Sequence, residues 1–122
     1  MEEVWHLNIL SKIKIFAWRA CVDALPTMMN LKKRSIGETN KCPCCGREVE
    51  SIFHSIIRCE VAKRVWDYWD IQLDDNGQEL YDVSDVALQI IDKRSFRDLE
   101  LFFVVAWSIW HNRNFVVFES VL

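Results

Sequence analysis

Glycine and proline are scarce in this chain, with three and two residues among 122. So few glycines cannot build the Gly-rich loop that cradles a nucleotide phosphate, so nucleotide-dependent chemistry has no motif to rest on. Long apolar runs are missing too. The longest is 101–107, and the wider 99–110 segment contains Glu100, well short of the ~20 residues that cross a bilayer. The opening Met-Glu-Glu-Val-Trp-His has no basic start and leads into no apolar run with a cleavage site, so a secretory leader is not expected. Hairpin alternation, internal repeats and low-complexity segments are absent. No strand carries the paired carboxylates that hold Mg²⁺ in polymerase chemistry. Without a catalytic constellation, the chain is not expected to be an enzyme.

Half of the residues are apolar and six are tryptophan. At this length folding buries roughly two-thirds of the unfolded surface, which is enough for a core without metal. The net charge of −3 is unevenly placed: residues 1–66 carry eleven basic and seven acidic side chains, and residues 67–122 carry four and eleven. The first part is therefore mildly basic, less so than a domain that binds nucleic acid by charge alone.

Apolar periodicity predicts an all-α fold. A helix over 12–25 carries one stripe through Ile13, Phe16, Ala17, Ala20 and Ala24 and a second through Ile15, Trp18, Val22 and Leu25. Such a helix is packed on several sides, and Pro26 should end it. Thr27 is placed to cap a second helix to about residue 36, stopped by Gly37. Short helices follow over 49–57 and 60–70, the latter with Val61, Val65, Trp66 and Trp69 inward. Residues 71–83 read as an acidic linker. Ser84 can cap a helix to about Asp92. Ser95 and Asp98 resemble a capping box opening the longest helix, about 96–118. Its face Leu99, Phe102, Phe103, Ala106, Ile109 and Trp110 is apolar, and so is much of the opposite side, which calls for a partner surface. The expected architecture is a small helical domain with one zinc-knuckle-like loop, then a linker and a C-terminal helical pair.

Cys42, Cys45, His54 and Cys59 are the chain's most specific chemistry. Three thiols and one imidazole, spaced Cys-x2-Cys, eight residues, then His-x4-Cys, can close a tetrahedron around one Zn²⁺ and leave no open position. That pattern means a structural metal. Cys42-Pro-Cys-Cys45-Gly46 reads as a tight turn whose amides can point at thiolates. Cys44 leaves the choice of first pair open, with Cys42 and Cys45 favoured by their two-residue gap. Cys21 reads as a small apolar core residue. Five cysteines without a leader suggest an intracellular, reducing location.

Other groups point to contacts rather than chemistry. Lys32, Lys33 and Arg34, with Lys41 and Arg47 near the cysteines and Lys12 and Lys14 before them, could form a basic patch for phosphates. The plainer reading is a solvated helix end. Trp66, Tyr68 and Trp69 could stack bases, although helical spacing favours core roles for the two tryptophans. His6 and His111 have no ligand partners nearby. In Trp110-His-Asn-Arg-Asn114, capping or packing is the plainer role.

These residues together resemble a known family. Trp5, Lys12-Ile-Lys-Ile-Phe-Ala-Trp-Arg-Ala20, Ala24-Leu-Pro-Thr27, Leu31 and Arg34 are similar to the start of the reverse-transcriptase zinc-binding domain of plant non-LTR (long interspersed) retrotransposon polyproteins. Cys42, Cys45, Glu50, His54 and Cys59 resemble its metal motif, and Ala62, Val65 and Trp66 the helix after it. The likeness covers about residues 4–70. Residues 99–119 are similar to the segment that joins this domain to a ribonuclease H-like domain.

The resemblance implies one structural zinc on Cys42, Cys45, His54 and Cys59. It also implies RNA or DNA as a partner, or a reverse transcriptase or ribonuclease H-like domain. The expected organisation is a zinc-binding domain over 4–70, the linker over 71–83 and a junction-like helical segment over 84–122. The expected function is a non-catalytic module that assists nucleic-acid binding. The alternative is a scaffold that docks a neighbouring polymerase or ribonuclease H-like domain. The expected location is intracellular, extending to the nucleus.

Overall fold

Two runs of sequence, 2–69 and 82–121, are described by the computed structural model of the chain. Most of the expected linker lies outside them. The described residues are mostly helical, with no strand and one isolated antiparallel bridge between Lys41 and Val49. A 3-10 turn over Glu2–His6 leads into α1 (Ser11–Cys21) and α2 (Met28–Lys33). A π-helical turn over His54–Arg58 precedes α3 (Glu60–Asp67), and α4 (Val83–Lys93) and α5 (Phe96–Val121) complete the order.

α1 buries Ile13, Phe16, Ala17 and Ala20, the first of its two stripes. The second stripe is not packed as expected. Ile15, Trp18 and Val22 are 45%, 39% and 46% exposed, and of that stripe only Leu25 is buried. The helix also ends before Pro26 can act. Asp23 adopts φ 56°, the Ala24 N–H donates to Arg19 O and the Val22 N–H to Trp18 O. This is a left-handed C-terminal cap in which aspartate takes the place usually held by glycine. The Asp23 carboxylate accepts from the Asn30 side chain, which ties the cap to α2.

Thr27 caps α2 through its hydroxyl, which accepts from the Asn30 N–H. α2 stops at Lys33 because Ser35 adopts φ 58°. Gly37, expected to stop it, lies two residues beyond that break. α4 starts from an Asp82 cap with a reciprocal Asp85 contact, ahead of the expected Ser84. The Ser84 hydroxyl instead donates to Cys21 O at 3.0 Å. Cys21 is partly buried and packs against the core, and burial raises its thiol above the ordinary value.

The core is continuous across the molecule. Val4 and Phe16 from the first part, Ile56 and Trp66 from the middle, and Val86, Phe102 and Phe103 from the last two helices belong to one cluster. Trp66 anchors it: its ring stacks on Phe102 and on Trp69, at centroid distances of 5.2 and 5.4 Å, and its indole N–H donates to Ile56 O at 2.7 Å. Val65, expected inward, is 39% exposed, and Tyr68 is almost fully exposed. All six residues expected on the core face of α5 are buried. Ser95 caps that helix, accepting from the Asp98 N–H and donating to its carboxylate.

One ion pair joins α5 to the loop before the π turn. The Arg113 guanidinium donates twice to Glu50, from Nε to Oε2 at 2.9 Å and from the terminal nitrogen to Oε1 at 2.6 Å. Their side chains are 6% and 0% exposed. Glu50 Oε1 also accepts from the Met28 N–H at 2.8 Å, and the Met29 N–H donates to Glu50 O. One carboxylate therefore serves α2 and α5 together. Trp110, a turn earlier on α5, lies under the guanidinium at 4.6 Å.

Removing one partner of a buried pair strands the other charge in low dielectric, at a cost of about 3–5 kcal/mol. Arg113→Met should lower stability in urea unfolding by that amount. Adding Glu50→Gln should recover part of it, because glutamine removes the orphaned charge and its carbonyl still accepts from Met28.

Candidate metal centre

Cys42 opens a loop closed by short-range backbone hydrogen bonds. The Cys42 N–H donates to Glu48 O and the Gly46 N–H to Cys42 O, both at 2.8 Å, and the Glu50 N–H reaches Asn40 O at 2.8 Å. The chain reverses at Gly46, whose φ is +70°. A Cβ there would meet no atom within 4 Å, so glycine is needed for its backbone angle and not for space. The turn aims successive amides at sulfur: those of Cys44 and Cys45 at the Cys42 thiol, and those of Arg47 and Glu48 at the Cys45 thiol.

His54 and Cys59 approach the same point from the π turn. The Cys59 N–H donates to His54 O at 2.7 Å, a bond that spans five residues. In a regular α-helix, residues five apart point about 140° away from each other around the axis. The wider π turn brings imidazole and thiol onto one side. The Ser51 hydroxyl accepts from the His54 N–H and starts the segment.

The result is a cluster of Cys42, Cys45, His54 and Cys59 whose ligand atoms all lie within 4.8 Å of one another. Cys42 Sγ and Cys59 Sγ are 3.9 Å apart, and Cys45 Sγ and His54 Nε2 are 3.5 Å apart. With zinc–sulfur and zinc–nitrogen bonds of about 2.3 and 2.0–2.1 Å, a regular tetrahedron has edges of about 3.8 Å between sulfurs and 3.6 Å from sulfur to nitrogen. The donor set and its spacing fit one structural zinc, with Nε2 as the histidine atom facing the thiols. Cys42 and Cys59 are buried, while Cys45 and His54 are half-buried. Cys44 lies outside this set of four and packs partly buried against the core.

The electrostatics suit a metal taken up with loss of protons. Burial pushes the Cys42 thiol up to about 12 and also raises Cys44. At Cys45 burial acts upward, but the Glu48 and Arg47 amides and thiol contacts outweigh it, and the net direction is down. Burial lowers His54 below the usual histidine value, which keeps its imidazole neutral into mildly acidic solution.

Of the sequence-predicted basic residues, Lys12, Lys32, Lys33, Arg34, Lys41 and Arg47 are exposed and Lys14 is half-buried. Lys32 and Lys33 form the last turn of α2, with Arg34 as its C-cap. Lys41 and Arg47 flank the first cysteine pair. Arg47 pairs with Glu60 across the loop. Lys12 and Lys14 are engaged elsewhere: Lys12 sits over the Trp107 ring at 4.9 Å and Lys14 donates to Trp5 O at 3.2 Å. His6 is exposed, and His111 stacks on Trp107. Arg113 is the supporting residue that sequence reading missed. Its signal was the polar run 110–114 at the end of an apolar helix.

Comparison with known proteins agrees with the site. The family model described as zinc-binding in reverse transcriptase matches residues 1–66, more than half of the chain. No curated protein and no solved structure matches it.

Purified protein should contain one zinc per chain by elemental analysis. Cys45→Ser and His54→Ala should lose the metal, and Cys44→Ser should keep it. A metal-free wild type purified under reducing conditions would sink this assignment. Because zinc binds thiolate, uptake must release protons, chiefly from Cys42, whose thiol is held so high. Zinc affinity should therefore fall as pH falls from 8 to 6, by at least about tenfold per unit. Histidine protonation should add to the loss only below the ordinary histidine range. Competition with a chromogenic chelator across that range measures the slope.

Proposed function

The chain belongs to the family of zinc-binding domains in reverse transcriptase, and from that membership we propose a non-catalytic module that assists nucleic-acid binding. Cys42, Cys45, His54 and Cys59 hold the zinc, and four protein ligands leave it no open position for a substrate. The metal's role is to fix the shape of a basic surface.

The observation that carries this reading is the link between the metal loop and α2. Glu50, between the two ligand pairs, accepts the Met28 N–H on its side chain and the Met29 N–H on its backbone. Those amides begin the short helix whose other end presents Lys32, Lys33 and Arg34. A loop held by zinc therefore holds the basic turn, with Lys41 and Arg47 beside the cysteines. The Arg47–Glu60 pair is well exposed on both sides. Such a pair is worth little, so Arg47 can exchange its carboxylate for a phosphate. Zinc-knuckle modules commonly engage single-stranded RNA, and RNA or DNA is the partner class assigned here.

A second partner follows from α1. Its exposed Ile15, Trp18 and Val22 lie within the family-matched residues and suit docking against a reverse transcriptase or ribonuclease H-like domain. With reduced thiols as ligands, the module belongs in an intracellular compartment where it can meet nucleic acid, the nucleus among them.

Single-stranded RNA or DNA should bind with an affinity that falls steeply with salt. Each of Lys32→Ala and Lys33→Ala should lower affinity across all sequences and reduce the salt slope by about one. Cys45→Ser should weaken binding as well. Fluorescence anisotropy over a salt series measures all three. Absent or salt-independent binding of both nucleic acids would refute the proposal.

A further inference from the structure

The face of α5 turned away from the core is periodic. Leu101, Val104, Ser108, His111, Phe115 and Phe118 recur at alternating spacings of three and four residues, and all six are exposed. Phe115 and Phe118 are 58% and 71% exposed. The buried residues of this helix, Leu99, Phe102, Phe103, Ala106, Ile109, Trp110 and Arg113, occupy the opposite side. A 3.5-residue repeat is the spacing that keeps one seam of a helix against another helix. The seam runs about 26 Å at 1.5 Å per residue, and no residue in it carries a carboxylate, ammonium or guanidinium.

We propose that this seam pairs with the same seam of a second copy of the chain, antiparallel, about a two-fold axis between Ser108 and His111. The sequence of the seam is what selects a second copy. Read from either end it runs apolar, apolar, polar, polar, apolar, apolar. Antiparallel pairing sets Leu101 against Phe118, Val104 against Phe115, and Ser108 against His111. Every apolar residue meets an apolar one, and each contact joins a phenylalanine to a smaller aliphatic, so the two helices keep one spacing along their length. Parallel pairing would stack phenylalanine on phenylalanine at one end and valine on valine at the other, splaying the pair. It would also align the helix dipoles instead of opposing them.

At the centre the polar groups match. The Ser108 hydroxyl donates to Val104 O of its own helix at 3.1 Å, which leaves its oxygen free to accept from a ring N–H of His111 of the second copy. His111 is held for that contact by stacking on Trp107, at 5.2 Å between centroids. The helix itself offers little positive charge to a phosphate-bearing partner, and the nearby Lys12 is engaged over the Trp107 ring. The basic residues of α5 are Arg97 and Arg113, and Arg113 is buried against Glu50. The resulting interface is isologous, each patch meeting itself, and therefore closes at two copies. The proposal does not depend on the nucleic-acid reading.

The test is sedimentation equilibrium of the full zinc-loaded chain over about a hundredfold concentration range. The expected result is a reversible monomer–dimer equilibrium. Phe115→Glu and Val104→Lys should each raise the dimer dissociation constant by at least about thirtyfold, the scale for losing a central anchor residue. Zinc content and far-UV circular dichroism should be unchanged, because both residues are exposed in the monomer. The double variant V104K/F115E should restore dimerisation, since antiparallel pairing sets each lysine against a glutamate. A wild type that is monomeric throughout, or that forms open-ended oligomers, would overturn the proposal. So would a dimer untouched by Phe115→Glu, and a double variant that stays monomeric would overturn the antiparallel alignment.

Discussion

Glu50 and Arg113 form the contact on which the rest of the arrangement depends. They are 63 residues apart, buried, and joined by two hydrogen bonds. A buried ion pair adds little net stability, because desolvation consumes most of the attraction. Its weight here lies in what it forbids. Any shift of α5 along or around its axis would pull the guanidinium from the carboxylate and leave two charges without partners. The pair therefore fixes the angle at which α5 crosses the metal loop. The same carboxylate holds the first amide of α2, so three separate segments share one anchor.

The metal loop rests on that frame, but its inner geometry is local. Backbone amides aimed at Cys42 and Cys45, the left-handed Gly46 and the π turn bring four donors to within one coordination sphere. Zinc binding in such a loop couples metal affinity to folding. The core of Phe102, Phe103 and Trp66 lies under α5 and α3 and does not need the metal to stay dry. Loss of zinc should therefore act first on the loop between Lys41 and Cys59 and on the basic turn tied to it.

Much of this was legible in the residues, for reasons that also mark where legibility stopped. The ligand cluster was legible because metal chemistry restricts both residue type and spacing. The core face of α5 was legible because burial writes a strict period. The ends of α1 and α2 were not, since Asp23 and Ser35 adopt a left-handed backbone that their side chains only tolerate, and Pro26 and Gly37 offered more conventional stops. The second stripe of α1 misled because apolar spacing reports a face without saying what covers it. The Arg113 partner lay beyond local reasoning altogether. Its only trace was a charged residue in an apolar helix, and nothing nearby in sequence pointed to Glu50. The family likeness ends near residue 66, yet the segment that supplies Arg113 begins beyond it.

The π turn gives the metal motif a phase. Five residues from His54 to Cys59 make a single step in which both donors point the same way. Adding one residue between them would swing the cysteine by about 100°, although every ligand would still be present, whereas removing one leaves a four-residue step that ordinary helical winding also keeps on one side. Point changes among Ser55, Ile56, Ile57 and Arg58 alter packing, but an added residue alters the register. The spacing between the last two ligands is therefore under a sharper constraint against lengthening than the identity of what fills it, and a chain lengthened here would carry an intact-looking motif whose last donor points away from the other three.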